Sequence, residues 1–386
     1  MSSPAEVRAR GRGFARTALP VLAIAAFLAV PGVVVLAAAQ AGTLGFDFLS
    51  YHQVAVRALH GEHLYDTTVH QTGGFGLFYY PPPFILAMLP LGLLSSALAP
   101  WVWLGLSLAM LVGGIWLLPV SRTVRWTTLL LAGLSWPVAY ALKLGQVGPL
   151  LFVLFALGWR WLDRPARFGT IGAIGALVKV QPGIILGWAF LTKRWTAVAV
   201  GLAVAAVASL VATLFLGGAQ IWSDLVILLW NVSDPIATPH NFTPGAVAYQ
   251  AGMAHGIAST IQLTSTALVA LAVIVSALVL RSEPSFLVAV VASQLLSPIL
   301  WDHYAMLLLL PVAFLLERRQ WWAPAIPLAT SVLVLPFGLP AILYPVAFWL
   351  TLVGLLVVGW RSRAAEPASV DEPATVDGHG APVPAA

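Results

Sequence analysis

Apolar runs recur along almost the whole chain, separated by prolines, glycines and short charged turns. A membrane span needs about 20 apolar residues, within roughly 17–25. The first run, Thr17–Ala39, follows Arg8, Arg10, Arg12 and Arg16, which predicts a short basic N-terminus (1–16) on the cytoplasmic side. Ala37-Ala38-Ala39 resembles a cleavage site, but the run exceeds the roughly 7–15 residues of a signal core, so an uncleaved anchor is expected. Further runs are Trp101–Leu118, Trp126–Leu142, Val147–Trp161, Phe168–Val178, Gly183–Leu191, Thr196–Leu216, Ile261–Leu280, Ser285–Ser297, Tyr304–Leu316, Trp322–Gly338 and Ala341–Trp360. With Phe84–Leu98 re-entrant or interfacial, this threading predicts about 12 spans within residues 17–360. A second threading lets Phe84–Leu98 cross and fuses Phe168–Leu191 into one broken span, again giving about 12; the overall range is 11–13.

Charge separates the two threadings. The first places Arg122, Arg125, Arg160, Arg164, Arg167, Lys193, Arg194, Arg281, Arg318 and Arg319 inside, and the second moves the first five outside. The positive-inside rule favours the first. Both termini are then cytoplasmic, and the Pro-, Ala- and acid-rich tail over 361–386 reads as disordered. The same threading puts His52, His60, His63, His70, His240, His255 and His303 outside, together with Asp47, Glu62, Asp66, Asp224, Asp234 and Asp302. A site at the outer membrane–water boundary is therefore expected. Two outer loops are long, about 40–83 and 217–256, and loops of that length are commonly functional. In the first, Tyr51, Val54, Ala55, Ala58 and Leu59 repeat every 3.6 residues, while His52, Gln53, Arg57 and His60 lie off the stripe. That pattern predicts an amphipathic helix in the interface, ended by Gly61. Ile221–Trp230 is expected to lie in the same plane.

Composition agrees. Hydrophobic residues make up 60% of the chain and charged residues 9%, against roughly 25% charged in soluble domains, so a multi-pass membrane protein is expected. Cysteine is absent, which excludes disulfides, thiolate metal sites and cysteine nucleophiles. The net charge of +5 is scattered and carries no nucleic-acid signature.

Several groups carry possible chemistry. Asp47, flanked by Phe46 and Phe48, reads either as a base desolvated at the hydrocarbon edge or as a solvated loop or capping aspartate. His303 follows Asp302, which either holds the imidazole or caps a helix. Lys179 lies between two short apolar runs before Pro182 and either snorkels or pairs with an anion. Gln146, in Gly145-Gln146-Val147-Gly148-Pro149, either bonds a sugar or phosphate or merely opens a helix with proline at its start. Tyr79-Tyr80-Pro81-Pro82-Pro83-Phe84 is a rigid extended lead into an apolar segment. Walker, dinucleotide, His-Glu-x-x-His, Asp-x-Asp and Gly-x-Ser-x-Gly patterns do not occur, so no metal or cofactor is indicated.

In order, Phe46-Asp47-Phe48-x-x-Tyr51, Ala58-Leu59-x-Gly61-x-x-x-Tyr65-Asp66, Phe78-Tyr79-Tyr80-Pro81-Pro82-Pro83-Phe84, Gly145-Gln146-Val147-x-Pro149-Leu150, Lys179-x-x-Pro182 and Leu296-Ser297-Pro298-x-x-Trp301-Asp302-His303 resemble glycosyltransferase family 87. This is the polyprenol-phosphate-mannose-dependent mannosyltransferase-like family of the GT-C superfamily, and the resemblance covers roughly 17–360. It implies an all-α GT-C-type bundle in the cell (inner) membrane, working on the extracytoplasmic face. It also implies inverting transfer of mannose or another hexose from a polyprenyl-phosphate carrier to a glycolipid or glycan acceptor. Asp47 matches the family's general base, and His303 best matches a histidine that assists at the donor phosphate. Lys179, Gln146, Asp302, Tyr51 and Tyr80 are then candidates for the donor phosphate and sugar, and His240 and Asn241 for the acceptor loop. His240-Asn241-Phe242-Thr243 departs from the family's usual Asn-Gln-Ser stretch. A phosphate leaving group needs no general acid, so one carboxylate suffices where hydrolases use two. The rival readings are a secondary transporter or lipid flippase, which predicts inverted repeats and midplane charges, and an oligosaccharide ligase with a diphosphate-linked donor.

Overall fold

A computed structural model describes residues 4–70, 76–232 and 234–364. The tail from 365 and residues 71–75 of the first long loop lie outside this description. Among the described residues, seventeen α-helices follow one another: α1 Pro4–Gln40, α2 Phe46–Leu59, α3 Pro82–Gly92, α4 Ala99–Leu117, α5 Arg122–Leu134, α6 Trp136–Leu144, α7 Gly148–Arg160, α8 Pro165–Val178, α9 Ile184–Leu191, α10 Trp195–Phe215, α11 Gln220–Asn231, α12 Pro244–Gln250, α13 His255–Val279, α14 Ser282–Leu295, α15 Leu309–Glu317, α16 Ala325–Ala329 and α17 Leu343–Ala364. Short 3₁₀ turns occupy Gln181–Gly183, Asp302–Leu308 and Leu335–Phe337. The described residues form no β-strand.

Among the described residues, five helices are long and apolar enough to cross a membrane: Thr17–Gln40 of α1, α4, α10, α13 and Leu343–Arg363 of α17. The α6–α7 pair, bent by 118°, makes a sixth if counted as one span. The remaining expected spans are short or broken. The 14 residues of α8 reach about 21 Å at 1.5 Å each, less than the roughly 30 Å of hydrocarbon. Leu202, Leu214 and Phe215 of α10 and Leu263 and Leu278 of α13 are exposed, as expected of side chains that face lipid. By contrast, α14 is buried from Pro284 to Leu295, which makes it the centre of the bundle. Helices α8 and α10 cross closely because Gly169 has no side chain; a Cβ there would meet the Ala197 carbonyl oxygen at 2.1 Å.

Two expected spans are corrected. Trp126–Leu142 breaks at Ser135, and Trp322–Gly338 forms only α16, turns and a 3₁₀ turn. Proline is the cause in both, since Pro137, Pro324, Pro327 and Pro336 cannot donate to a helix ladder. The breaks satisfy each other across an antiparallel Ser135–Ser331 bridge. Trp136 N donates to Thr330 O at 3.2 Å and Val332 N to Leu134 O at 2.9 Å. Irregular backbone inside such an apolar protein persists where protein supplies those partners.

One end of the bundle is fastened by charge. Arg318 pairs with Glu283 at 2.7 Å, Trp159 Nε1 donates to Glu283 at 2.8 Å, and Ser121 N donates to Glu317 at 2.8 Å. From that end α7 leads back to Gln146, α8 forward to Lys179 and α14 forward to Ser297. The candidate chemistry therefore collects at the opposite end.

Candidate active site

The expected amphipathic helix is α2, but it starts at Phe46 rather than near Tyr51, so Asp47 sits in its first turn. The positive end of a helix dipole favours a carboxylate there. Burial has the larger, opposite effect and pushes the Asp47 carboxyl above its ordinary value, partly offset by His303, the Gln146 hydrogen bond and Lys179. Of the residues placed off the apolar stripe, His52 is in fact buried, 3.0 Å from the Leu94 carbonyl oxygen.

Gln146 stands at the bend between α6 and α7. Gly145 closes α6 in the left-handed region, φ 69°, with its N–H on the Ala141 and Leu142 carbonyls. A Cβ at Gly145 would lie 2.5 Å from Phe48 Cβ, so only glycine lets α2 dock on this bend. Trp103 Nε1 donates to Gly145 O at 2.7 Å, and Gly45 N donates to Lys143 O at 2.8 Å. This docking sets Gln146 Nε2 against Asp47 Oδ2, to which it donates. The Gln146 Oε1 atom accepts from Tyr51 OH at 3.3 Å and Tyr80 OH at 3.4 Å, and the two hydroxyls are 2.8 Å apart. A carboxylate only accepts, whereas a phenolic hydroxyl can donate, so the amide has one orientation, Nε2 toward Asp47. Tyr51 and Tyr80 thus hold Gln146, which in turn holds Asp47.

Lys179 ends α8, where the backbone turns extended before Pro182. Its Nζ donates to Tyr304 OH and lies 4.2 Å from the Tyr304 ring centroid and 5.5 Å from that of Tyr80. No carboxylate of a described residue forms an ion pair with it. Gln181 Nε2 donates to Ser297 Oγ at 2.6 Å, which joins this break to the Leu296-Ser297-Pro298 turn. His303 is 3% exposed, and neither ring nitrogen has a hydrogen-bond partner among the described residues. Its Nδ1 is 3.5 Å from Asp302 Oδ1, which instead accepts the His303 backbone N–H at 2.8 Å. Buried polar atoms are almost always paired, so this imidazole is left to meet something that enters the cavity.

That cavity, about 110 Å³, is lined by Asp47, Tyr51, Tyr80, Gln146, Lys179, His240, Asp302 and His303, every candidate named from sequence except Asn241. Tyr79, Tyr140, Trp301 and Ser50 line it as well. Tyr304, the partner of Lys179, had a signal in its position directly after His303, whereas Tyr140 had none.

The model of glycosyltransferase family 87 matches residues 78–300. The chain belongs to glycosyltransferase family 87. It is therefore a membrane glycosyltransferase rather than a transporter. No curated relative and no solved structure matches the chain. Tyr80, Gln146, Lys179, His240 and Asn241 of this family 87 enzyme lie in the matched segment, while Asp47, Tyr51, Asp302 and His303 flank it and join them through the fold.

Asn241 has a different place from the one expected. It is fully buried, donating to Pro235 O at 2.7 Å and Pro298 O at 3.1 Å and accepting from Thr243 N at 3.0 Å and Leu300 N at 2.9 Å. All the capacity of its amide is used inside the protein, so it ties the second long loop to the turn before Trp301. That tie holds His240, with φ 57°, at the cavity wall. In the glycosyltransferase, Asn241→Ala would strand backbone donors and acceptors at roughly 1–3 kcal/mol each. A melting temperature in detergent several degrees below wild type is expected; an unchanged one would show that the loop is held otherwise.

Proposed function

We propose that the enzyme transfers a hexose, such as mannose, from a polyprenyl-phosphate carrier to a glycolipid or glycan hydroxyl, with inversion, on the extracytoplasmic face of the cell membrane. The observation that carries this reading is one cavity shared by the half-buried Asp47 carboxylate, a half-buried Lys179 with no ion pair to a described carboxylate, and a buried His303 whose ring nitrogens make no hydrogen bond among the described residues. Asp47 Oδ2 is held by Gln146, and the carboxylate takes the proton of the acceptor hydroxyl as that oxygen attacks the anomeric carbon. The bond from that carbon to the phosphate oxygen breaks, and the electron pair leaves on phosphate. Lys179 and His303 meet the resulting charge, which places them where charge develops in the transition state. The carrier stays in the bilayer, so no nucleotide-binding domain is required. Purified enzyme offered radiolabelled sugar on a polyprenyl monophosphate, a polyprenyl diphosphate or a nucleotide should use only the monophosphate. Transfer from the diphosphate alone would establish the ligase reading instead.

The raised pKa of Asp47 has a kinetic consequence. The base works ionised, so the rate falls as pH drops through a value above the usual carboxylate figure of about 3.9. Gln146→Leu removes a hydrogen bond that stabilises the ionised form. A hydrogen bond to a charged group contributes roughly 1.5–3 kcal/mol, so the acid limb should move up by about one to two pH units. A pH–rate profile of the variant that overlays wild type would remove Gln146 from this role.

A further inference from the structure

Helix α2 carries a polar stripe that leaves the catalytic cavity. Asp47, Ser50, Gln53 and Arg57 are spaced by three, three and four residues, so they line one face of the helix. From Asp47 to Arg57 this face is about 15 Å long. Beyond Ser50 it forms one wall of a second, larger cavity of about 590 Å³, within the roughly 300–1,000 Å³ of ligand sites. Gln53 and Arg57 face this space from α2, Asp66 from the following loop and Ser96 from the turn after α3. Phe78 and Leu228 supply apolar surface between them. Ser50, Gly76 and Leu77 line both cavities, so the two spaces adjoin.

The lining has the character of a carbohydrate site. A pyranose presents a rim of hydroxyls and apolar C–H faces, and this groove offers an amide, a guanidinium, a carboxylate and a hydroxyl beside an aromatic ring. Arg57 lies in the electrostatic reach of Asp66, so the two charges offset each other. A strongly anionic ligand would meet Asp66, and a cationic one Arg57. Among the described residues neither the Gln53 amide nor the Arg57 guanidinium makes a hydrogen bond, whereas His52 on the floor is already engaged at the Leu94 carbonyl.

Resting on the transferase reading of the Asp47 cavity, we propose that an uncharged oligosaccharide portion of the acceptor lies along Ser50, Gln53 and Arg57, with the hydroxyl to be glycosylated at Asp47. The groove then selects acceptors that already carry several sugars and sets how far from its end a glycan is extended.

The test is photolabelling of the full chain in nanodiscs with diazirine-tagged alkyl trisaccharides of neutral hexoses, mapped by peptide mass spectrometry. Label is expected on peptides covering residues 50–57 and 77–78, competed by untagged trisaccharide. It should fall at least tenfold in the Gln53→Ala/Arg57→Ala double variant and, independently, in Ser96→Trp, which fills the groove from an exposed turn. Label elsewhere, or label on α2 that both variants leave unchanged, would overturn the proposal. Asp47→Asn separates the two readings. Retained label with lost transfer supports both; retained label with retained transfer removes Asp47 as base and leaves the groove standing; label lost from folded Asp47→Asn protein would place the sugar in the catalytic cavity alone and overturn the groove.

Discussion

Folded Asp47→Asn enzyme should transfer sugar about 10²–10⁴ times more slowly than wild type, the usual contribution of a positioned general base. The substitution keeps the shape of the side chain and an oxygen able to accept from Gln146, so α2 should still dock on the Gly145 bend. What is lost is the proton acceptor. No second carboxylate replaces it without rearrangement, because Asp302, the other acid lining the cavity, has Oδ1 on the His303 backbone N–H. Single-turnover transfer with saturating polyprenyl-phosphate sugar would measure the loss. A rate near wild type would exclude Asp47 as the base, and with it the mechanism proposed above.

Replacing Lys179 with methionine should separate activity from stability. The lysine is the cationic side chain lining the cavity, and its polar neighbour is the Tyr304 hydroxyl rather than a carboxylate. A lysine charge drawn from water with its counter-charge, Asp47, beyond ion-pair contact adds little to stability, and an apolar side chain of similar volume is often neutral or stabilising. Melting should therefore stay at or above the wild-type temperature. Transfer should nonetheless fall about 10²–10³-fold, as when one donor to a developing anion is removed. His303→Ala should weaken donor use in the same direction. A Lys179→Met enzyme with an unchanged response to donor concentration would remove the lysine from the phosphate site. A collapse in melting temperature would assign it a structural role.

Much of this site could be read along the chain. Asp47, Lys179 and His303 stand out because each is an ionisable residue beside or between apolar runs, where leaving it unused is costly. The helix that carries Asp47 is visible in its 3.6-residue period, and it begins at Phe46, a turn before Tyr51, because Phe48 continues the buried stripe of Tyr51, Val54 and Ala55 while Asp47 continues the polar one. The expected spans failed where prolines fall, at Ser135 and after Trp322. Apolar content alone does not reveal whether a run stays helical when a second broken segment is available to accept its freed hydrogen bonds. The resemblance to family 87 lies in short motifs whose order is a property of the chain, and the family's model matches residues 78–300.

Other assignments depended on partners far away in sequence. Gln146 and Asp47 are separated by 99 positions, Lys179 and Tyr304 by 125, and Asn241 and Leu300 by 59. Hydrophobic periodicity, composition and motif order are local quantities, and they were enough to specify a helical membrane protein and a family of glycosyltransferases. A hydrogen bond is short and directional, so its partner is chosen only when helices have packed. That packing turned Gln146 toward Asp47, drew Asn241 out of the cavity and into the loop's anchor, and set His303 in the cavity wall with no hydrogen bond to its ring nitrogens among the described residues.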